Sequence, residues 1–167
     1  EVLRVIFPLD YWDLIEKYAK ARSLDPYLVS ALMAQESTFT ADIRSSANAR
    51  GLMQVMPGTG RQYARKLGIR PFTTASLSQA ETNVRIGTQY FKDLVDRFGG
   101  IHYALASYNA GDGRVAQWIK ASPDLAPDEF IDSIRDPEIW RKTKEGASAA
   151  GSWSIGLLKD LVTAYLK

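Results

Sequence analysis

The sequence predicts an all-α, mostly helical protein. Three observations carry that expectation: apolar residues recur at helical spacing in successive segments, Asp-Pro, Pro and Gly mark the segment ends, and no stretch of useful length alternates apolar and polar residues as a strand does. At 167 residues the chain is expected to form a single domain, residues 1–167, without internal repeats. Such a length buries about two thirds of the surface its unfolded form exposes.

The first element is expected from about Leu9 to Arg22, where Tyr11, Trp12, Leu14, Ile15, Tyr18 and Ala19 share one helical face. Ser23 to Asp25 breaks it. Asp25 and Pro26 read as the cap and first position of a second helix, because an Asp side chain accepts from free N–H groups and a proline has none to lose. Leu28, Val29, Leu32 and Met33 then form its buried face. Thr38 to Asn48 is polar and rich in small residues, and reads as a loop. Pro57 opens a helix to about Leu67, closed by Gly68. Its Arg61, Arg65 and Lys66 read as a solvated face.

The longest periodic segment runs from Ser78 or Gln79 to Phe98, with Ile86, Tyr90, Phe91, Leu94, Val95 and Phe98 inward and Gly99-Gly100 as its stop. Gly87 inside it costs about 1 kcal/mol relative to alanine, which is repaid if it allows close packing. A short helix opens near His102, the glycines of Asn109-Ala110-Gly111-Asp112-Gly113 suit a turn, and Val115, Trp118 and Ile119 resume helical spacing. Asp128 to Ile134 reads as a short acidic helix, Glu145 to Ser154 as a loop rich in Gly, Ala and Ser, and Ile155 to Lys167 as a closing amphipathic helix.

Composition excludes several functions. With no cysteine there is neither a disulfide framework nor a thiol nucleophile, and with His102 as the sole histidine no His/Cys cluster for zinc can form. No Asp-rich EF-hand loop is present, so calcium is not implied, and the expected site needs no metal or cofactor. A net charge of +2 is too small to announce a nucleic-acid partner, though compatible with an anionic polymer. Gly111-Asp112-Gly113 follows no strand, which rules out a dinucleotide fingerprint. No apolar run approaches the roughly 18–20 residues of a membrane span, and no charged-then-apolar leader precedes Phe7.

Chemistry concentrates between Asp25 and Pro57. Leu28, Leu32 and Glu36 stand in line on one helical face, so a carboxyl occupies the next turn of an apolar stripe. Desolvation disfavours its charged form and raises its pKa, which is how a protein makes a general acid at neutral pH. The competing account is a surface glutamate that caps a neighbouring helix. Fifteen residues on, Gly51-Leu52-Met53-Gln54-Val55-Met56-Pro57 sets a single amide within an apolar run. Gln54 must find partners there, and a ligand with hydroxyls and amides is one such partner.

Glu36-Ser37 with Phe39, then Ser45, then Ala49 and Gly51 to Pro57, and later Ser107-Tyr108-Asn109-Ala110-Gly111 with Gly113-Arg114-Val115, are similar to the motifs of the soluble lytic transglycosylase catalytic domain. The resemblance runs from about Phe7 to Ile134. It implies a lysozyme-like fold of the goose type, a monomer acting on peptidoglycan glycan strands, and location in the periplasm or cell envelope with an export signal or N-terminal region outside this chain. Glu36 is then the catalytic acid, with Ser45 as a hydrogen-bonding partner near it. Gln54, Tyr108 and Asn109 orient the sugar and its acetamido group, and Met56 packs in the cleft. Residues 135–167 diverge from the family pattern: only Glu138 keeps its place, as a further substrate-binding residue.

Glycosidic hydrolysis usually needs two carboxyls, about 5–5.5 Å apart for retention or 6.5–9.5 Å for inversion. Asp42, Glu81 and Glu138 are none of them obvious second members, so a single-acid mechanism fits better. The resemblance implies cleavage between N-acetylmuramic acid and N-acetylglucosamine with closure of a 1,6-anhydro ring. Two alternatives are a hydrolytic muramidase or chitinase on the same scaffold, using Asp42 to position water, and a glycan-binding module with weakened catalysis.

Overall fold

A computed structural model describes residues 11–133. Their architecture is helical, as the periodicity predicts: α1 (Trp12–Lys20), α2 (Pro26–Ser37), α3 (Pro57–Lys66), a 3-10 helix (Thr74–Ser78), α4 (Ala80–Phe98), α5 (Ile101–Ala110), α6 (Asp112–Ala121) and α7 (Pro127–Ser133). Among the described residues, extended pairing is confined to two isolated antiparallel bridges, Arg44 with Arg50 and Arg50 with Val55. The expected closing helix Ile155 to Lys167, the loop before it and Glu138 lie outside the described residues.

The described residues divide into two compact units, one running up to residue 92 and the other beginning at residue 93. In the first, the Asp25 carboxylate accepts from the Tyr27 N–H at 2.8 Å, and Pro26 takes the first helical position of α2. Ile15 and Ala19 of α1, and Leu28, Val29, Leu32 and Met33 of α2, are buried. Thr38 ends α2 in the left-handed region (φ 49°), its N–H donating to the Ala34 carbonyl at 2.9 Å. Gly68 follows α3 with φ 66°, the conformation expected of it. The 3-10 turn was not foreseen. Its five residues are too few to show a period, and it is held partly by the Thr73 N–H donating to Ser76 Oγ at 3.1 Å.

In the second unit, Ala104, Leu105 and Ala106 of α5, Val115 and Trp118 of α6, and Phe130 and Ile131 of α7 are buried. Tyr103 meets Phe130 edge to face with ring centroids 4.8 Å apart. The turn between α5 and α6 is made by Gly111 alone (φ 92°). Gly113, expected in that turn, is already helical, and the Asp112 carboxylate accepts its N–H at 2.9 Å.

Candidate active site

Glu36 sits one residue from the end of α2, where the buried stripe of Leu28 and Leu32 predicts it. The side chain is partly buried. Among the described residues no hydrogen bond or ion pair reaches its carboxyl, so it is neither a cap nor half of a salt bridge. Burial pushes its pKa up from the ordinary 4.5 to about 8. No neighbouring charge contributes to that rise. The negative end of the helix dipole acts in the same direction.

The other candidate carboxylates are differently placed. Asp42 is exposed in the loop that follows. Glu81 is exposed and occupied: it accepts from the Tyr18 hydroxyl at 2.7 Å and from Lys17 Nζ at 2.9 Å. Those two bonds hold its pKa below the usual value, the Tyr18 bond first. His102 lies tilted against Tyr103 with ring centroids 4.0 Å apart, and desolvation lowers its pKa.

The segment after Glu36 is strained. Thr38, Phe39, Asn48 and Gln54 all have positive φ (49°, 60°, 69° and 43°), and among the described residues Ser23 is the only other non-glycine residue that does. Such backbone costs on the order of 1–3 kcal/mol per residue and persists where the surroundings enforce it, commonly at functional sites. Here the enforcement is a knot of backbone bonds. The Arg50 N–H and carbonyl pair with Val55 at 3.1 and 3.0 Å, and the Gly51 N–H donates to the Ile43 carbonyl at 3.0 Å.

Ser45 and Gln54 both belong to this knot. Ser45 Oγ accepts from the Ala49 N–H at 3.0 Å, which is turn chemistry and leaves the hydroxyl proton to donate elsewhere. Gln54 Nε2 donates to the Gly51 carbonyl at 2.9 Å and to the Ile43 carbonyl at 3.4 Å. The amide therefore finds partners in its own loop, while its Oε1 takes no bond from any described residue. Met56 exposes 42% of its surface, an apolar face a sugar ring can cover.

One residue of this site was not foreseen. Asn83 of α4 is fully buried and ties the motif loop to the helix: its Oδ1 accepts from the Met53 N–H at 2.8 Å, and its Nδ2 donates to the carbonyls of Arg50 (2.8 Å) and Leu77 (2.7 Å). The signal available in the sequence was two poor helix formers one turn apart, Asn83 and Gly87, on an otherwise apolar face. Tyr108 and Asn109 lie in the last turn of α5, in the second unit, both partly buried. Among the described residues no three His, Cys, Asp or Glu side chains gather as metal ligands would. No helix among them is long and apolar enough to cross a membrane.

The helical scaffold thus holds one partly buried carboxyl, met by no polar group among the described residues, beside a strained polar loop. The family model of the Transglycosylase SLT domain matches residues 13–131, and the chain belongs to that family. It is 36% identical over 131 residues to the soluble lytic murein transglycosylase of Salmonella typhimurium, covering 77% of this chain and 20% of that protein. The endo-type membrane-bound lytic murein transglycosylase A of Cronobacter sakazakii is 31% identical over 144 residues, 75% of this chain and 71% of that protein.

Among solved structures, an inactive Glu-to-Gln mutant of lytic transglycosylase Slt from Pseudomonas aeruginosa superposes with a TM-score of 0.74 at 38% identity, covering 83% of this chain and 23% of that one. The 70 kDa soluble lytic transglycosylase of Escherichia coli gives 0.75 at 29% identity, with 98% and 26% covered. The chain thus spans about a fifth of the length of the first curated relatives it matches.

Proposed function

We propose that this chain is a peptidoglycan lytic transglycosylase acting in the cell envelope, with Glu36 as acid and then base. The observation that carries the reading is the Glu36 carboxyl, unpartnered among the described residues and pushed by burial to about 8, which keeps a proton to give at neutral pH. The names of its relatives and the loss of activity on Glu-to-Gln replacement in the Pseudomonas aeruginosa structure support it.

Glu36 donates its proton to the glycosidic oxygen between N-acetylmuramic acid and N-acetylglucosamine, and the bond from that oxygen to the anomeric carbon breaks. The acetamido oxygen of the substrate attacks the anomeric carbon in its place. The muramyl 6-hydroxyl oxygen then displaces it, its proton passing to the ionised Glu36. A 1,6-anhydro ring results, no water is consumed, and the enzyme ends in its starting protonation state. One group that must be acid and base in turn works best with a pKa near the ambient pH. Ser45, Gln54, Tyr108 and Asn109 orient the sugar and its acetamido group, Met56 packs against it, and Glu138 belongs to the same substrate-binding set.

Mass spectrometry of the products released from purified peptidoglycan tests the reading. Muropeptides lighter by one water than the hydrolytic ones are expected. Reducing-end muropeptides would overturn it in favour of a hydrolase, with Asp42 the first residue to inspect, and no released product would favour a glycan-binding module.

A further inference from the structure

Asn83 uses both its N–H donors and its carbonyl oxygen on backbone groups of two other segments. Two of its bonds grip the motif loop on either side of Gly51 and Leu52, at the Arg50 carbonyl and the Met53 N–H, and the third fixes the end of the 3-10 turn at Leu77. Two glycines make the approach possible. A Cβ on Gly51, already at φ 75°, would collide with the Leu77 carbonyl and the Asn83 carboxamide, and one on Gly87 would lie 2.5 Å from Met53 Sδ and 2.7 Å from Met53 Cβ. Asn83 and Gly87 are one turn apart on α4, so the loop rests on the helix at one height, set by a polar clamp and an apolar notch.

Gln54 is the next residue along. Both its backbone N–H (3.0 Å) and its side-chain Nε2 (2.9 Å) bond to the Gly51 carbonyl, which lies between the two points Asn83 holds. We propose that Asn83 is a positioning residue for glycan cleavage, acting through Gln54: by fixing Arg50 and Met53 it fixes the Gly51 carbonyl, and so where Gln54 Oε1 is presented to the sugar. This rests on the lytic transglycosylase reading.

The test is a double-mutant cycle of Asn83→Asp with Gln54→Ala, read as kcat and KM on peptidoglycan, with the exchange rate of the Met53 amide proton followed in the same proteins. Asn83→Asp keeps the acceptor for Met53 and loses both donors; Asn83→Ala is the harsher companion, replaced by the aspartate wherever it fails to fold. Each single variant is expected to lose roughly 10- to 100-fold in kcat/KM, in line with the cost of a misplaced substrate-orienting group. The double variant should fall no further than Gln54→Ala within about twofold, because a group acting through another has nothing left to act on. A purely structural role would instead give losses that multiply. Multiplying losses, or a parent-like kcat/KM in an Asn83 variant whose Met53 amide exchanges faster, would overturn the inference alone. A parent with no turnover would sink the functional reading and this inference with it.

Discussion

Two glutamates of the first unit show what decides whether a carboxyl is structural or reactive. Glu81, exposed beside α1, is met by a hydroxyl and an ammonium and driven toward its ionised form. Glu36, at the end of α2, is met by no polar partner among the described residues and driven toward its protonated form. Both carboxyls come from the same residue type. Hydrogen bonds to the charged form lower a pKa and lost hydration raises it, so the two environments split one chemistry into a clamp and an acid.

Replacing the reactive member breaks the comparison most sharply. Glu36→Gln preserves shape and removes the proton, so cleavage should fall by about 10²- to 10⁴-fold while the fold persists, as circular dichroism would report. Substantial residual turnover would move the acid elsewhere. The same variant carries a stability signature. The folded carboxyl keeps its proton up to about pH 8 while the unfolded one loses it near 4.5, so between those values the unfolded chain holds fewer protons and stability declines as pH rises, levelling off above 8. Glu36→Gln has no such titration. Its Tm should match the parent's near pH 4 and exceed it by several degrees at pH 9.

The pH profile of kcat/KM sharpens the same point. Protonated Glu36 is the active form of the free enzyme, so the alkaline limb should fall through about pH 8, and an ordinary glutamate would place it near 4.5. A limb near 4.5 would mean that Glu36 in the free enzyme is hydrated like an ordinary glutamate.

Much of this contrast was readable in the sequence, and what was not shares one cause. The Asp25-Pro26 start, the Gly68 stop, the burial of Ile86, Phe91 and Leu94 on α4 and the placing of Glu36 follow from residue types whose physics is local, while Tyr90, Val95 and Phe98, expected inward, are only half-buried. Gly87 was legible too, as a glycine whose cost must be repaid by packing, and Met53 is what it admits. The role of Asn83 was not, because its partners are backbone groups 30 and 33 residues away, and backbone groups carry no residue identity to search for. The Gln54 amide was likewise expected to need partners, but the carbonyls of Gly51 and Ile43 could not be named in advance. The pairing of Arg50 with Arg44 and Val55 is one residue long at each point, too short to leave an alternating pattern.

Gln54→Ala comes next in expected size, a loss of roughly 10- to 100-fold in kcat/KM through substrate orientation rather than bond-making. The alkaline limb should stay where the parent has it, since Glu36 takes no hydrogen bond from Gln54. An unchanged rate would remove Gln54 from the substrate-binding set.

The smallest effect should come from the structural glutamate. Glu81→Gln keeps an acceptor for the Tyr18 hydroxyl and gives up the ion pair with Lys17, whose side chains are 58% and 59% exposed. Exposed pairs are screened by water and salt and must hold two long side chains in one geometry, so their net contribution is small. Activity should stay within about twofold of the parent, and Tm should shift by no more than about a degree, less still at high salt. A large loss of cleavage in Glu81→Gln would show that the clamp between α1 and α4 reaches the acid, and the separation of the two glutamates into independent roles would fail.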